Sequence, residues 1–248
     1  MARLCYLLFF VLTVQGFGVM GFLQGCNTSK CHDLELRREM ENIGYVPTTE
    51  EQLNKLCPPA LKAVQCATET IQGCVGRPLT ELSTSDNKTV AGFAHGVVST
   101  GNLIIDICTP GSDFRDSYLA NVVCFKELVT DPEATIKCHQ QGMNVYNSYK
   151  QSRDALSNEI TDEDEERESC MVTAYRLACF ASKLHDKCGE NARKTFVDTL
   201  KKFQYLKWSD CTEAHIHNLK TEFLESLQLE EQRKNIFSSV FESKKRRK

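Results

Sequence analysis

Several things are scarce in this chain, and each scarcity removes a class of answers. No stretch alternates apolar and polar residues for long, so a sheet-based fold is not expected. Neither sign of charge is in surplus: 30 basic residues face 33 acidic ones, net −3, which excludes nucleic acid as a partner of the whole chain. Beyond the N-terminal segment no apolar run reads as long enough to span a membrane. The signatures G-x-S-x-G, H-E-x-x-H and the phosphate-binding P-loop are missing, so enzyme chemistry is not expected. No two cysteines stand at C-x2-C spacing, which argues against zinc, a metal that needs four converging ligands. The acidic run Thr161-Asp162-Glu163-Asp164-Glu165-Glu166 lacks the glycine-containing loop that calcium requires. No cofactor and no metal is expected.

What the chain does have is cysteine. There are thirteen. Residues 1–21 read as a secretory leader: Arg3 is its one charge, Leu4 to Val14 is an apolar core, and small residues follow at Gly16, Gly18, Gly21 and Gly25. Cleavage is expected after Gly18 or Gly21. It removes Cys5 and leaves twelve cysteines, the even number that a closed disulfide framework requires. They are Cys26, Cys31, Cys57, Cys66, Cys74, Cys108, Cys124, Cys138, Cys170, Cys179, Cys188 and Cys211. Their pairing cannot be read from spacing. The leader also takes one basic residue and no acidic one, so the balance moves to −4.

The stretch Cys170 to Gly189 organises the rest. Its three cysteines stand nine residues apart. Positions nine apart lie about 180° around a helix, so neighbours in this series cannot bond to each other. Each must reach a different element, which makes this helix a central strut. Cys57, Cys66 and Cys74 echo the series. Pro58-Pro59 is expected to interrupt any helix arriving from its N-terminal side, setting Cys57 apart.

Helix signals dominate everywhere. Ser29 to Asn42 reads as helix, stopping at Gly44. Thr48 and Glu51, at capping-box spacing, open one helix, and Pro59 suits the first turn of another that ends near Gly73. Asp86 is a cap for 87–107, Ser112 for a helix through Val129, and Asp131-Pro132 for one reaching Tyr149. The acidic run reads as the first turns of the Cys170 helix, where negative charge suits the dipole. Asn191 to Phe203 is helical, and a last helix spans about Thr212 to Phe241. The expected fold is all-α, a disulfide-reinforced bundle or array of about seven to nine helices. The organisation reads as a leader over 1–21, a disulfide-bonded helical domain over 22–211, an amphipathic helix over 212–242 and a basic tail over 243–248. The domain contains two candidate related halves, 26–108 and 124–211, with six cysteines in each.

Few residues carry chemistry. His185-Asp186-Lys187-Cys188 resembles part of the secreted phospholipase A2 motif, in which histidine activates water beside a calcium-binding aspartate. Ala181 and Ser182 stand where that motif has two cysteines, and the calcium loop is missing. His215 and His217 are two residues apart, about 200° around a helix, so they cannot share a metal. Asn27-Thr28-Ser29 and Asn87-Lys88-Thr89 are acceptor sequences for N-linked glycan at Asn27 and Asn87. Lys244, Lys245, Arg246, Arg247 and Lys248 form a cationic tail suited to sulfated glycans or an anionic surface.

From Leu56 to Cys211 the cysteine pattern resembles the arthropod 27-kilodalton haemolymph glycoprotein family. The resemblance rests on Leu56-Cys57, Cys66, Cys74, Leu103-Ile104-Ile105-Asp106-Ile107-Cys108, Cys124 and Cys138. It continues through Cys170, Arg176-Leu177-Ala178-Cys179, Cys188-Gly189, Asn191-Ala192 and Cys211. It implies a secreted, all-helical, disulfide-bonded glycoprotein without a settled activity. The expectation is thus a non-enzymatic extracellular protein that binds a protein or a small apolar ligand. The alternatives are a phospholipase A2-like hydrolase and a structural or defence component of a body fluid or venom.

Overall fold

A computed structural model of the chain describes residues 26, 28–31, 33–153, 162–208 and 211–242. The leader, Asn27 and the tail Lys244 to Lys248 lie outside the described residues. The fold is all-α, and among the described residues there is no strand. The chain divides into two compact units, with the boundary between Lys126 and Glu127.

In the first unit a 3-10 turn, Thr28–Cys31, leads into α1 (Leu34–Asn42). Asp33 starts α1 by accepting the backbone N–H groups of Glu35 and Leu36. The chain then reverses through Gly44 and Tyr45, both at positive φ (68° and 65°). Lys126 secures this reversal by donating to the Ile43 carbonyl at 2.9 Å.

Two long helices form the body of the unit, α2 (Glu50–Val75) and α4 (Lys88–Cys108), with the single turn α3 (Leu79–Leu82) between them. Leu56, Ala60 and Ala63 of α2 meet Ile104 of α4 and Leu36 and Met40 of α1. Further along, Ile71 of α2 meets Leu79 and Leu82 of α3 and Val90, Phe93 and Ala94 of α4. The two long helices therefore run antiparallel. The window Val90–Cys108 is long and apolar enough to cross a membrane by length and composition, contrary to the sequence expectation. Half of it is buried within the protein, and it packs here as a core helix.

Several expected boundaries move. Pro58 and Pro59 sit inside α2 and do not break it. Each removes one backbone donor. Leu56, Cys57 and Ala60 on the same turns are nearly inaccessible, and Cys57 is bonded to Cys108. Tertiary anchoring thus holds a helix that local propensity would interrupt. The cap of α2 is Thr49, which accepts from the Gln52 N–H, while Gln52 accepts from Thr48. The capping pair is thus shifted by one residue from Thr48 and Glu51. Asn87, not Asp86, caps α4, its Oδ1 accepting the Val90 N–H.

α5 (Asp113–Val129) crosses the boundary between units. Ser112 caps it as expected, accepting from Arg115 N–H at 3.1 Å. The second unit continues with α6 (Pro132–Arg153) and α7 (Asp162–Phe203). Gly189, at φ 83° and ψ 177°, kinks α7 where the sequence places a helix stop. The two limbs fold so that Phe180 and Phe196 meet with ring centres 5.3 Å apart and planes tilted by 57°.

After α8 (Tyr205–Trp208) the expected single C-terminal helix is broken into pieces. They are α9 (Glu213–Asn218), a π-helical turn (Leu219–Phe223), α10 (Leu224–Ser226) and α11 (Glu231–Phe241). Gln228 at φ 48° ends α10, and this reversal lets α11 return. Its residues Ile236, Phe237, Val240 and Phe241 are buried, and Phe237 meets Tyr175 of α7 edge-on.

Candidate functional site

The chemistry-bearing residues fall into a covalent framework and one polar cluster. All twelve cysteines of the expected framework are disulfide-bonded. The first unit holds Cys26–Cys74, Cys31–Cys66 and Cys57–Cys108. The second holds Cys138–Cys179 and Cys170–Cys211. Cys124 and Cys188 are bonded as well. Cys170 and Cys179, on opposite faces of α7, bond residues on different segments, as their spacing requires. Such a framework belongs to an oxidising compartment and is consistent with an extracellular protein.

The polar cluster surrounds the kink of α7. His185 stands in the last turn before Gly189 and Glu190 directly after it. His185 Nδ1 lies 3.1 Å from Glu190 Oε2, and its Nε2 lies 2.9 Å from Gln232 Nε2 on α11. Arg193 forks onto both oxygens of Glu190 through Nε and Nη2, and donates from Nη1 to Ser239 on α11. That contact with Arg193, aided by His185, holds the Glu190 carboxyl below its ordinary range and raises the guanidinium of Arg193. Asp186 pairs with Arg233 of α11 at 3.6 Å, and burial pushes the nearby Tyr175 hydroxyl up.

This geometry gives the hydrolase alternative no support. A general base must offer a free nitrogen to a water, yet both nitrogens of His185 are engaged by side chains. Asp186 faces an arginine. Ser182, one turn before His185, is 5% exposed, and its hydroxyl has no hydrogen-bond partner, so it is not linked to the histidine. No group of three or more His, Cys, Asp or Glu side chains converges for a metal among the described residues. The acidic run is divided in use: Asp164 is bonded to Arg167, while Glu163, Glu165 and Glu166 are exposed.

His215 and His217 are also kept apart. His215 is 4% exposed, and its Nδ1 accepts the Thr212 N–H while Thr212 Oγ1 accepts the His215 N–H. It works as a helix cap beside the Cys170–Cys211 bridge. His217 is exposed.

A residue that the sequence did not flag is Arg115, only 2% exposed in the first unit. Its Nη1 donates to the Ile107 carbonyl at the end of α4, and its Nη2 to Asn54 Oδ1 of α2 at 2.7 Å. Glu50 lies 3.6 Å away. The signal was present: Arg115, Tyr118 and Val122 share one face of α5, and that face is buried.

An apolar cavity between α2 and α4 is lined by Leu53, Leu56, Ala60, Ile104, Ile107 and the Cys57–Cys108 bridge. Its volume is about 10 Å³, room for no more than about one water. Asn87 is exposed at the start of α4. No family model, no curated protein and no solved structure matches the chain.

Proposed function

We propose that this is a secreted, non-enzymatic glycoprotein of an extracellular fluid, acting by binding. The observation that carries the reading is that every cysteine left after the leader is bonded. A chain spends that many cysteines on bridges where thiols are oxidised. The resemblance to the arthropod haemolymph glycoproteins supports the same location, and the exposed Asn87 supports glycan attachment. The ligand it binds is a protein or a small apolar molecule. The cationic tail from Lys244 to Lys248 adds a second contact, to sulfated glycans or anionic surfaces.

The test is recovery of the full chain from the medium of secretory cells. After denaturation without reductant, thiol labelling finds no free cysteine, and native mass spectrometry of the source fluid shows the protein with added partner mass. Retention inside the cell, or two or more labelled cysteines, would overturn the reading. Calcium-dependent lipid hydrolysis that disappears in His185→Ala would replace it with the hydrolase. A chain ending at Glu242 loses heparin retention at low salt, whereas equal retention removes the tail from the proposal.

A further inference from the structure

No cysteine follows Cys211, so the bridges stop there and the chain beyond it is held without a covalent tie. α11 is the far end of that part. It packs on α7 with Ile236, Phe237, Val240 and Phe241 buried and with Tyr175 of α7 edge-on to Phe237. Polar contacts fix its register on α7: His185 with Gln232, Asp186 with Arg233, Arg193 with Ser239, and Lys201 with Glu242 at 3.0 Å. The link 228–230 turns α11 back onto α7, and this link is locally strained. Gln228 stands at φ 48°, in the left-handed region that residues with a Cβ avoid. Glu230 opens α11 without a side-chain cap. Yet from Thr212 to Phe241 the sequence has neither glycine nor proline. Nothing local forbids one unbroken helix through the link. Local preference and docking therefore oppose each other at Gln228.

We infer that the groove on α7 also takes α11 of a second copy of this chain, so that two copies exchange their last helix and form a dimer. Straightening the link at Gln228 carries α11 away from its own α7. That uncovers four apolar side chains and the groove beneath them, and both need cover from water. The same helix of another copy restores every contact. The second copy's Gln232, Arg233 and Ser239 complete the cluster at His185, Asp186 and Arg193, and its Glu242 reaches Lys201. Its Lys234 meets Glu225 of α10, a pair 2.7 Å apart within one copy. The exchange thus keeps the packing and relaxes the left-handed residue in both copies. Against this stands the lost freedom of two separate molecules. Any other partner would have to reproduce four buried positions and four polar contacts, which the second copy already carries. The bridges hold the rest of each copy together while the helix is away. A dimer presents each binding surface twice, which raises avidity for an extended ligand.

The test uses the full, oxidised chain. Heavy-isotope and light protein are mixed, held at the midpoint of denaturant unfolding without reductant, and returned to native buffer. Sedimentation is expected to show a dimer that grows with concentration and runs as single chains in detergent without reductant. A zero-length carbodiimide then joins Lys201 to Glu242 and Lys234 to Glu225, and the cross-linked peptides are weighed. In the exchanged dimer about half of them pair a heavy strand with a light one, whereas the monomer yields matched pairs alone. A chain that stays monomeric at every concentration, or a dimer whose cross-links are never mixed, overturns the exchange. Two variants at the exposed residue 228 shift the equilibrium in opposite directions. Gln228→Gly accepts the left-handed turn and weakens the straight helix. It raises the dimer dissociation constant about fivefold for each of the two hinges, roughly twenty-five-fold together. Gln228→Val is β-branched and strained at positive φ, so it lowers that constant. No shift, or shifts of one sign in both variants, also overturns it.

Discussion

The two units use one cysteine grammar on two different cores. In each six-cysteine half, 26–108 and 124–211, the second cysteine bonds the fourth and the third bonds the sixth: Cys31–Cys66 and Cys57–Cys108, then Cys138–Cys179 and Cys170–Cys211. Six cysteines allow about 15 closed pairings, so this agreement strengthens the case for related halves beyond spacing alone. The interiors do not follow. The first unit packs an antiparallel pair, α2 and α4, around aliphatic clusters, with a buried arginine at one end. The second surrounds one kinked helix with α6 and α11 and relies on aromatic pairs such as Tyr149–Phe223 and Tyr175–Phe237. The two halves share a covalent topology and differ in side-chain packing.

The largest effect expected is from the tethers, and it should be equal in the two units. Cys57–Cys108 spans 51 residues and Cys170–Cys211 spans 41. Loop-closure entropy changes little over that range, so removing either pair by double alanine substitution costs about 2–5 kcal/mol. Denaturant unfolding of the two variants checks this, and indifference in one unit would break the parallel. Full reduction abolishes cooperative unfolding altogether.

Next comes the asymmetry at Arg115. Arg115→Met keeps most of the volume but strands the Ile107 carbonyl, while the exposed Asn54 side chain turns to water. The loss is about 1–3 kcal/mol, and hydrogen exchange should localise it to the first unit.

Two glycines sharpen the contrast in packing. A Cβ at Gly101 of α4 would lie 3.2 Å from a methyl of Val64, and at Gly142 of α6 it would lie 3.2 Å from the Val172 carbonyl oxygen. A valine methyl can yield by rotation, whereas the backbone of α7 cannot. Gly101→Ala is therefore near neutral, helped by up to about 1 kcal/mol of helix propensity. Gly142→Ala costs about 1–3 kcal/mol. Thermal midpoints moving by the same amount would contradict this account.

The smallest effect is at Glu190. Its folded carboxyl titrates lower than in the unfolded chain, so its contribution is complete above the ordinary carboxylate range. It is lost as pH falls through the lowered folded value. Glu190 is half exposed, so Glu190→Gln costs under about 1 kcal/mol at neutral pH and nothing in acid. Glu51 in the first unit, paired with Lys55 and fully exposed, should show still less.

The legible part of this molecule is local. The Ser112 and Asp131 caps, the stop at Gly189 and the opposed faces of Cys170 and Cys179 follow from positions a few residues apart. The illegible part depends on partners far along the chain. Continuity through Pro58-Pro59 needs the clusters and the bridge around Cys57. The break at Gln228 needs a surface on α7 for α11 to return to. Arg115 looked like a solvated charge until the end of α4 and Asn54 surrounded it. Engagement of both His185 nitrogens depends on Gln232, 47 residues away.

The overlapping bridges also decide how far the chain can be stretched. From Cys26 to Cys108 the backbone is 82 residues long, but a covalent shortcut exists. It runs five residues to Cys31, crosses to Cys66, returns nine residues to Cys57 and crosses to Cys108. Fully unfolded and oxidised, this part can extend only about 60 Å, against roughly 290 Å after reduction. From Cys138 to Cys211 the shortcut is shorter still, nine residues from Cys179 back to Cys170. A backbone cut between Cys31 and Cys57 would leave both fragments joined, because Cys26–Cys74 and Cys31–Cys66 both cross it. Unreduced, a nicked chain migrates as one piece, and it separates only when a reductant opens the bridges.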